Sequence, residues 1–259
     1  MILPLLVTDV AHAKAILRTE VAQAVAGKPF LAGVEVRIDP HWHIYWQNPG
    51  DSGIPTTVAW TVPKGWKVEP LGYPVPRRFA PGGIAAYGYE TMVTFLAWVT
   101  PSAQTGVVSA KAKWLVCRDA CLPGAAAVSQ QVRVGRSSQP SGAERVLLRR
   151  ELRNLPVASS WVSRAWLGKK DVVLQVTPTG PVPKGPVHFF PLESGIIDHG
   201  KDAVATLKSG PLVFKMSVSP FPENRSRLQG LLVAPRGTYW PGGRTALIVD
   251  ARLEKGDPR

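Results

Sequence analysis

Two cysteines four residues apart are the most reactive feature of the chain. The sequence contains only two cysteines, and both lie in the stretch Trp114-Leu-Val-Cys117-Arg-Asp-Ala-Cys121-Leu-Pro-Gly124. Two cysteines cannot complete a four-thiolate zinc site, and no histidine lies near them in sequence. Their spacing therefore indicates either a structural disulfide or a dithiol that carries out redox chemistry.

The ring that these cysteines would close is too short to be an effective staple. In the chain-entropy model such a ring contributes about 2 kcal/mol of stability, against about 5 kcal/mol for a hundred-residue loop. A short ring keeps the two sulfurs together after reduction, which reversible exchange requires. Arg118 beside Cys117 would favour a thiolate, and Asp119 opposes that effect. Redox exchange is the favoured interpretation, with a structural disulfide as the alternative.

Two histidines offer a second kind of chemistry. His41 and His43 alternate along a predicted extended segment, His41–Trp46, and would then point to one face. Imidazoles on one face can bind copper or zinc. Aromatic neighbours of the histidines favour packing over metal binding: Trp42, Tyr45 and Trp46. We expect no metal site, and a copper-handling protein remains a further alternative.

The elements that must position these residues are predicted to be short β-strands. Hydrophobic residues make up 45% of the chain, which is typical of a globular protein, and 25 prolines and 24 glycines punctuate short segments. In Phe30–Ile38 the apolar and charged side chains alternate, which predicts a half-buried strand with Glu35 and Arg37 on its polar face. Further strands are predicted at Val58–Val62, Met92–Val99, Val107–Val116, Asp171–Val176, Val187–Phe190, Leu212–Val218, Leu228–Ala234 and Arg244–Leu253.

The composition changes in the middle of the chain. Gly135–Gly142 is rich in Gly, Ser and Pro and is typical of a linker, while Ala143–Leu155 predicts one helix that Pro156 ends. Asn48–Gly53 is predicted to be a turn. The sequence thus predicts an all-β protein with a first domain over residues 1–136, a linker and short helix over 137–156, and a second β-domain over 157–259.

The net charge indicates which partners the protein can bind, and the N-terminal sequence indicates where the protein is located. The formal net charge is +13, but the basic residues are scattered and no nucleic-acid-binding signature accompanies them. No window of 18 apolar residues exists that could span a bilayer. The apolar start Ile2–Val7 is too short for a signal peptide and lacks a basic segment before it, so we expect an export signal upstream of it.

Four stretches resemble one known family. The chain is similar to the N-terminal periplasmic region of ScsB-type proteins, which are relatives of the thiol:disulfide interchange protein DsbD. The similarity runs along most of the sequence. The stretches that carry it are His41–Pro55, Trp114–Pro123, Tyr87-Gly88-Tyr89-Glu90 and His188-Phe-Phe-Pro191.

This resemblance implies an immunoglobulin-like β-sandwich that carries the cysteine pair, followed by a second sandwich-like domain. It also implies a component of a protein-disulfide reductase in the periplasm, without a cofactor. Such a domain takes electrons from a membrane-embedded donor domain, of the same or another polypeptide. It passes them to thioredoxin-fold proteins such as disulfide isomerases, cytochrome c maturation factors or, in ScsB relatives, a copper-tolerance protein. The family's nucleophile maps onto Cys121, and Cys117 would be the resolving cysteine.

The chain departs from DsbD at two points. Its Cys-x3-Cys spacing is tighter than that of DsbD itself. Tyr87, Gly88 and Tyr89 match a possible active-site loop, but Ala86 occupies the position of the aromatic residue that shields the disulfide in DsbD, which leaves Tyr87 as the adjacent aromatic. A non-catalytic exported binding module with a structural disulfide remains the alternative function.

Overall fold

The computed structural model describes residues 12–80, 83–207, 210–256 and 258. The apolar start Ile2–Val7 and Gly82 lie outside the described residues. Helix α1 spans Ala143–Arg153. The strands are β1 Ala13–Thr19, β2 Val21–Ala24, β3 Phe30–Ile38, β4 His43–Gly50, β5 Thr57–Thr61, β6 Lys67–Pro70, β7 Arg77–Phe79, β8 Ala86–Glu90, β9 Met92–Thr100, β10 Gly106–Cys117, β11 Cys121–Val134, β12 Gln139–Pro140, β13 Val157–Ala158, β14 Val162–Leu167, β15 Asp171–Thr177, β16 Val187–Pro191, β17 Val204–Ala205, β18 Leu212–Ser217, β19 Arg227–Val233 and β20 Ala246–Lys255.

The described chain divides into two compact units. The first comprises the described residues up to Trp46, together with Ile54–Pro74 and Gly88–Leu152. The second comprises Gln47–Gly53, Val75–Tyr87 and the described residues from Arg153 onward. The predicted linker Gly135–Gly142 and helix α1 up to Leu152 therefore belong to the first unit, and two short segments from the first half of the sequence belong to the second.

The first unit is built from two sheets. One has the strand order β1-β3-β9-β6, and the other runs β12-β2-β11-β10-β4-β8, with β5 also paired to β10. The inward positions of these strands are apolar and fully buried, as the period of two requires. Examples are Val34, Val36, Leu96, Val108 and Val116. The predicted linker contains β12, which pairs with β2, so this segment continues the second sheet.

On the polar face of β3, Arg37 is exposed as expected, but Glu35 is buried, which corrects the expectation for this residue. Glu35 is only 1% exposed and forms ion pairs with Arg18 and Arg37 at 2.9 and 2.6 Å. Arg18 also binds Glu144 in the first turn of α1 at 2.6 Å. The buried carboxylate is therefore compensated by two guanidinium groups, as a buried charge requires.

Helix α1 packs closely on the sheet that contains β3. Leu148 is fully buried, and a side chain at Gly33 would place its Cβ 2.5 Å from the Leu148 methyl group Cδ2. Arg149 lies over the ring of Trp98 at 5.4 Å and forms an ion pair with the buried Glu20. The close approach at Gly33 and these pairings fix the helix to the first unit.

The second unit is built around one sheet in the order β17-β16-β19-β20-β14-β15-β18, with β13 paired to β20. The five strands predicted here match β15, β16, β18, β19 and β20. Its core contains large apolar side chains that are at most 2% exposed, among them Phe189, Phe214 and Trp240. Within the described residues no helix combines the length and the apolar character needed to cross a membrane.

Candidate functional site

The two cysteines form the last pair of a long β-hairpin. Strands β10 and β11 are paired from Gly106 opposite Val132 to Cys117 opposite Cys121. The two Cα atoms are 4.2 Å apart, within the roughly 7 Å that a disulfide can bridge, and the sulfurs are bonded. The four-residue spacing thus follows from a hairpin that ends in a three-residue connection.

The two cysteines differ in their exposure to solvent. Cys117 is 2% exposed and lies opposite His43 of β4, so its side chain is enclosed between strands. Cys121 is exposed at the start of β11, and the next residue, Leu122, is exposed as well. Cys121 is therefore the more exposed residue of the pair.

Two buried polar side chains of β4 form a line of contacts that ends at Cys121 Sγ. His43 and Tyr45 are 6% and 2% exposed and are two residues apart, so they share one face of the strand. The His43 Nε2 atom lies 3.3 Å from the Tyr45 hydroxyl, which in turn lies 4.0 Å from Cys121 Sγ. Burial lowers the pKa of His43, although the Glu90 carboxylate acts in the opposite direction. Sequence reasoning assigned Tyr45 to packing and did not place it at the cysteines.

His41 does not share a strand face with His43, which corrects the geometry expected from the sequence. It lies in the turn before β4, is exposed, and has a left-handed backbone with φ of 70°. The period of two therefore does not apply to this pair. In the part of the chain that the structure describes, no group of three or more His, Cys, Asp or Glu side chains could hold a metal ion.

Arg118 and Asp119 lie in the connection between the cysteines and bind each other. The Arg118 Nε atom is 2.7 Å from the Asp119 carboxylate, and both side chains are largely exposed. The Arg118 guanidinium also lies over the ring of Trp42 at 5.4 Å, and Trp42 stacks on His12 at 3.8 Å. The arginine is thus shared between an acidic and an aromatic neighbour, and its effect on the thiols stays a prediction.

Tyr87, Gly88 and Tyr89 lie in strand β8, which corrects their expected placement in a loop. Tyr87 is buried against Phe190, and its hydroxyl is 3.1 Å from His199 Nδ1. Tyr89 is buried and donates a hydrogen bond to the Pro74 carbonyl. Burial raises the pKa of both phenols. A role for these residues in shielding the disulfide stays a prediction.

Comparison with known proteins relates the chain to one family. Residues 13–132 match the family described as thiol:disulfide interchange protein DsbD, N-terminal. The crystal structure of the N-terminal periplasmic domain of ScsB from Proteus mirabilis matches with a TM-score of 0.68 at 16% identity, covering 99% of this chain and 97% of that chain. The periplasmic chaperone SfaE, at 6% identity and a TM-score of 0.21, covers 93% of this chain and all of its own, and this likeness carries no argument. No curated protein matches.

The matched residues contain the whole hairpin and both cysteines. The likeness to ScsB confirms the predicted all-β fold with an immunoglobulin-like sandwich. Residues 13–132 are therefore similar to the N-terminal domain of the thiol:disulfide interchange protein DsbD.

Proposed function

We propose that the chain is a periplasmic exchange module that relays reducing equivalents through Cys117 and Cys121. It accepts electrons from a membrane-embedded donor and passes them to thioredoxin-fold proteins, as one component of a protein-disulfide reductase. The observation that carries this proposal is the unequal exposure of the two bonded cysteines: Cys121 is exposed and Cys117 is buried, with their Cα atoms 4.2 Å apart.

The chemistry follows from that difference. In the loading half-reaction a donor thiolate attacks Cys121 Sγ, the Cys117–Cys121 bond breaks, and Cys117 leaves as a thiolate. A second donor thiol then attacks the mixed disulfide, which leaves the module with two thiols and the donor oxidised. In the unloading half-reaction the Cys121 thiolate attacks the partner disulfide and Cys117 resolves the adduct. Two electrons pass in each half-reaction, and the protons of the two thiols end on the partner.

The periplasmic location is supported by the resemblance to a domain described as periplasmic. The recipient of the electrons is a thioredoxin-fold protein. Three classes are candidates for this recipient: disulfide isomerases, cytochrome c maturation factors and copper-tolerance proteins. A structural role for the disulfide is less favoured because the ladder from Gly106 to Cys117 already holds the two ends of the ring together.

Trapping tests the order of attack. The Cys117→Ala variant should accumulate a covalent adduct with a thioredoxin-fold partner, because the adduct can no longer be resolved. The Cys121→Ala variant should form none, since the remaining sulfur is buried. Adducts are separated on non-reducing gels, and the double variant serves as the control. Adducts from Cys121→Ala alone would reverse the assignment.

Thiol titration tests whether the disulfide is reversible at all. The folded protein should gain two reactive thiols on treatment with a mild dithiol, while its unfolding transition is still complete. A disulfide that is reduced only after the protein has unfolded would be structural, and the relay function would then be wrong.

A further inference from the structure

The exposed cysteine is connected to a buried imidazole through one phenol. Tyr45 stands between His43 Nε2, at 3.3 Å from its hydroxyl, and Cys121 Sγ, at 4.0 Å. Strand β4 supplies both side chains, and its pairing with β10 sets His43 directly opposite Cys117. The imidazole and the phenol ring meet edge to face at 5.2 Å between centroids. Both rings are held by neighbouring strands, so the order imidazole, phenol, sulfur is built into the fold.

We propose that Tyr45 and His43 form a proton relay that removes the thiol proton of Cys121 when this cysteine becomes the nucleophile. This inference rests on the exchange function proposed above. Tyr45 acts on the reacting sulfur itself, and His43 acts through Tyr45 as a positioning residue.

The relay moves protons and leaves electrons in place. The Cys121 thiol gives its proton to the Tyr45 oxygen while the Tyr45 hydroxyl gives its own proton to His43 Nε2, in the tautomer that carries hydrogen on Nδ1. The products are a Cys121 thiolate, a neutral tyrosine and an imidazolium. The thiolate then attacks the partner disulfide, and the proton on His43 passes back through Tyr45 to the thiolate that leaves the partner.

The electrostatic surroundings suit a temporary proton acceptor. Burial lowers the pKa of His43, which favours the neutral imidazole before the reaction. The Glu90 carboxylate on β8 favours the imidazolium once it forms. Arg118 and Asp119, the nearest charges on the hairpin connection, are paired with each other at 2.7 Å. A negative sulfur at Cys121 therefore adds to the attraction that stabilises the protonated His43.

The test uses Cys121 as a single thiol in the Cys117→Ala background and needs no partner protein. The rate of alkylation by iodoacetamide is measured across pH, because only the thiolate reacts. Tyr45→Phe should slow alkylation at neutral pH about tenfold and move the profile to higher pH, the size expected for losing one hydrogen bond to a charged atom. His43→Gln keeps a polar group at this position but cannot take up a proton, so it should produce a similar shift.

Two comparisons separate a relay from simple packing. In a relay the double variant Tyr45→Phe/His43→Gln should be no slower than Tyr45→Phe alone, since both changes break the same path. His41→Gln is the matched control, because it makes the same replacement at an exposed turn residue, and its profile should equal that of the parent. Thermal unfolding of each variant checks that the fold is retained.

The relay is wrong if Tyr45→Phe reacts like its parent, or if the two losses simply multiply. Either result leaves the exchange function intact as long as Cys117→Ala still traps a partner. Conversely, a shifted alkylation profile without any trapped adduct would keep the relay as a property of the thiol and refute the exchange function.

Discussion

Single residues determine how closely two neighbouring strands can approach each other beside the disulfide. Gly88 allows the closest approach of this kind, between β8 and β4. A Cβ at this position would lie 2.0 Å from the carbonyl oxygen of Ile44 on the neighbouring strand. Backbone atoms of a paired strand cannot move aside as a flexible side chain can. The glycine of the Tyr87-Gly88 pair is therefore required by strand packing, whatever chemistry the adjacent tyrosines carry out.

We expect Gly88→Ala to lower the free energy of unfolding by about 3 kcal/mol, the upper range for overpacking. The reason is that β8 must move away from β4 to make room for the methyl group. Urea unfolding of the oxidised protein measures the change. Gly180→Ala is the control, because nothing lies within 4 Å of a Cβ there and the backbone is not left-handed. Equal stabilities of the two variants would contradict the close approach.

The sequence predicted the cysteine pair better than its surroundings. Cys117 and Cys121 could be identified by type and spacing alone. Tyr45 could not be placed beside Cys121, 76 residues away, because that contact depends on the pairing of β4 with β10. His41 was misplaced because a non-glycine residue with φ of 70° has no local signal in the sequence.

At the level of elements, the ion pairs that join helix α1 to β3 make the first unit sensitive to acid. Burial raises the pKa of Glu35, but hydrogen bonds from Arg18 and Arg37 outweigh it, so the folded pKa lies below the ordinary value of 4.5. A carboxylate with a lowered pKa stabilises the protein fully above its unfolded pKa and loses this contribution as pH falls through the folded pKa.

Glu35→Gln should therefore cost about 2 kcal/mol at neutral pH, because Arg37 loses its carboxylate and Arg18 keeps only that of Glu144. The difference from the parent should shrink as the pH falls below the ordinary value of 4.5 and then through the lowered pKa of folded Glu35, where the parent carboxylate becomes protonated as well. Urea unfolding at several pH values measures both effects. Glu69→Gln, which replaces an exposed glutamate of β6, should leave the stability unchanged. A cost that did not depend on pH would show that packing, and not charge, holds this position.

Strands were predictable where alternation was strong. The bounds of β9, β10, β15 and β18 agree with prediction to within one or two residues. Strand β14 was missed because only Ala165 among its residues is buried, so its sequence alternates weakly. Strand β4 runs through Asn48-Pro-Gly50, which the sequence indicates as a turn. Here the buried Asn48 amide donates to the Pro191 carbonyl at 2.9 Å, a contact that no local pattern encodes.

At the scale of the whole molecule, the two compact units are not contiguous in sequence. The predicted boundary over residues 137–156 divides the sequence, but the second unit also contains segments that precede it. The second unit includes Gln47–Gly53 and Val75–Tyr87. Asn48 binds Pro191, and Tyr87 binds His199, which lies 112 residues further along the chain. Long-range contacts of this kind are invisible in the sequence, which is why the predicted domains were contiguous.

We expect trypsin to cleave the native protein first at Arg136, which is exposed just before β12. The two fragments should stay associated, because segments from the N-terminal fragment form part of the second unit. Gel filtration under native conditions should give one peak, and a denaturing gel should give two bands. Fragments that separate without denaturant, or a first cut within β10, would contradict this layout.

The cysteines lie at the end of the β10–β11 ladder, and this position also determines how little the surface of the protein changes on reduction. Twelve paired positions from Gly106 to Cys117 hold the hairpin independently of the sulfur–sulfur bond, so the oxidised and reduced forms should have almost the same outline. A partner then has no change of shape by which to recognise a loaded module. The direction of flow is left to reduction potentials, for which about 30 mV corresponds to a tenfold change in equilibrium. With donor and acceptor both present, the fraction of oxidised protein should follow the ratio of their redox couples by mass action.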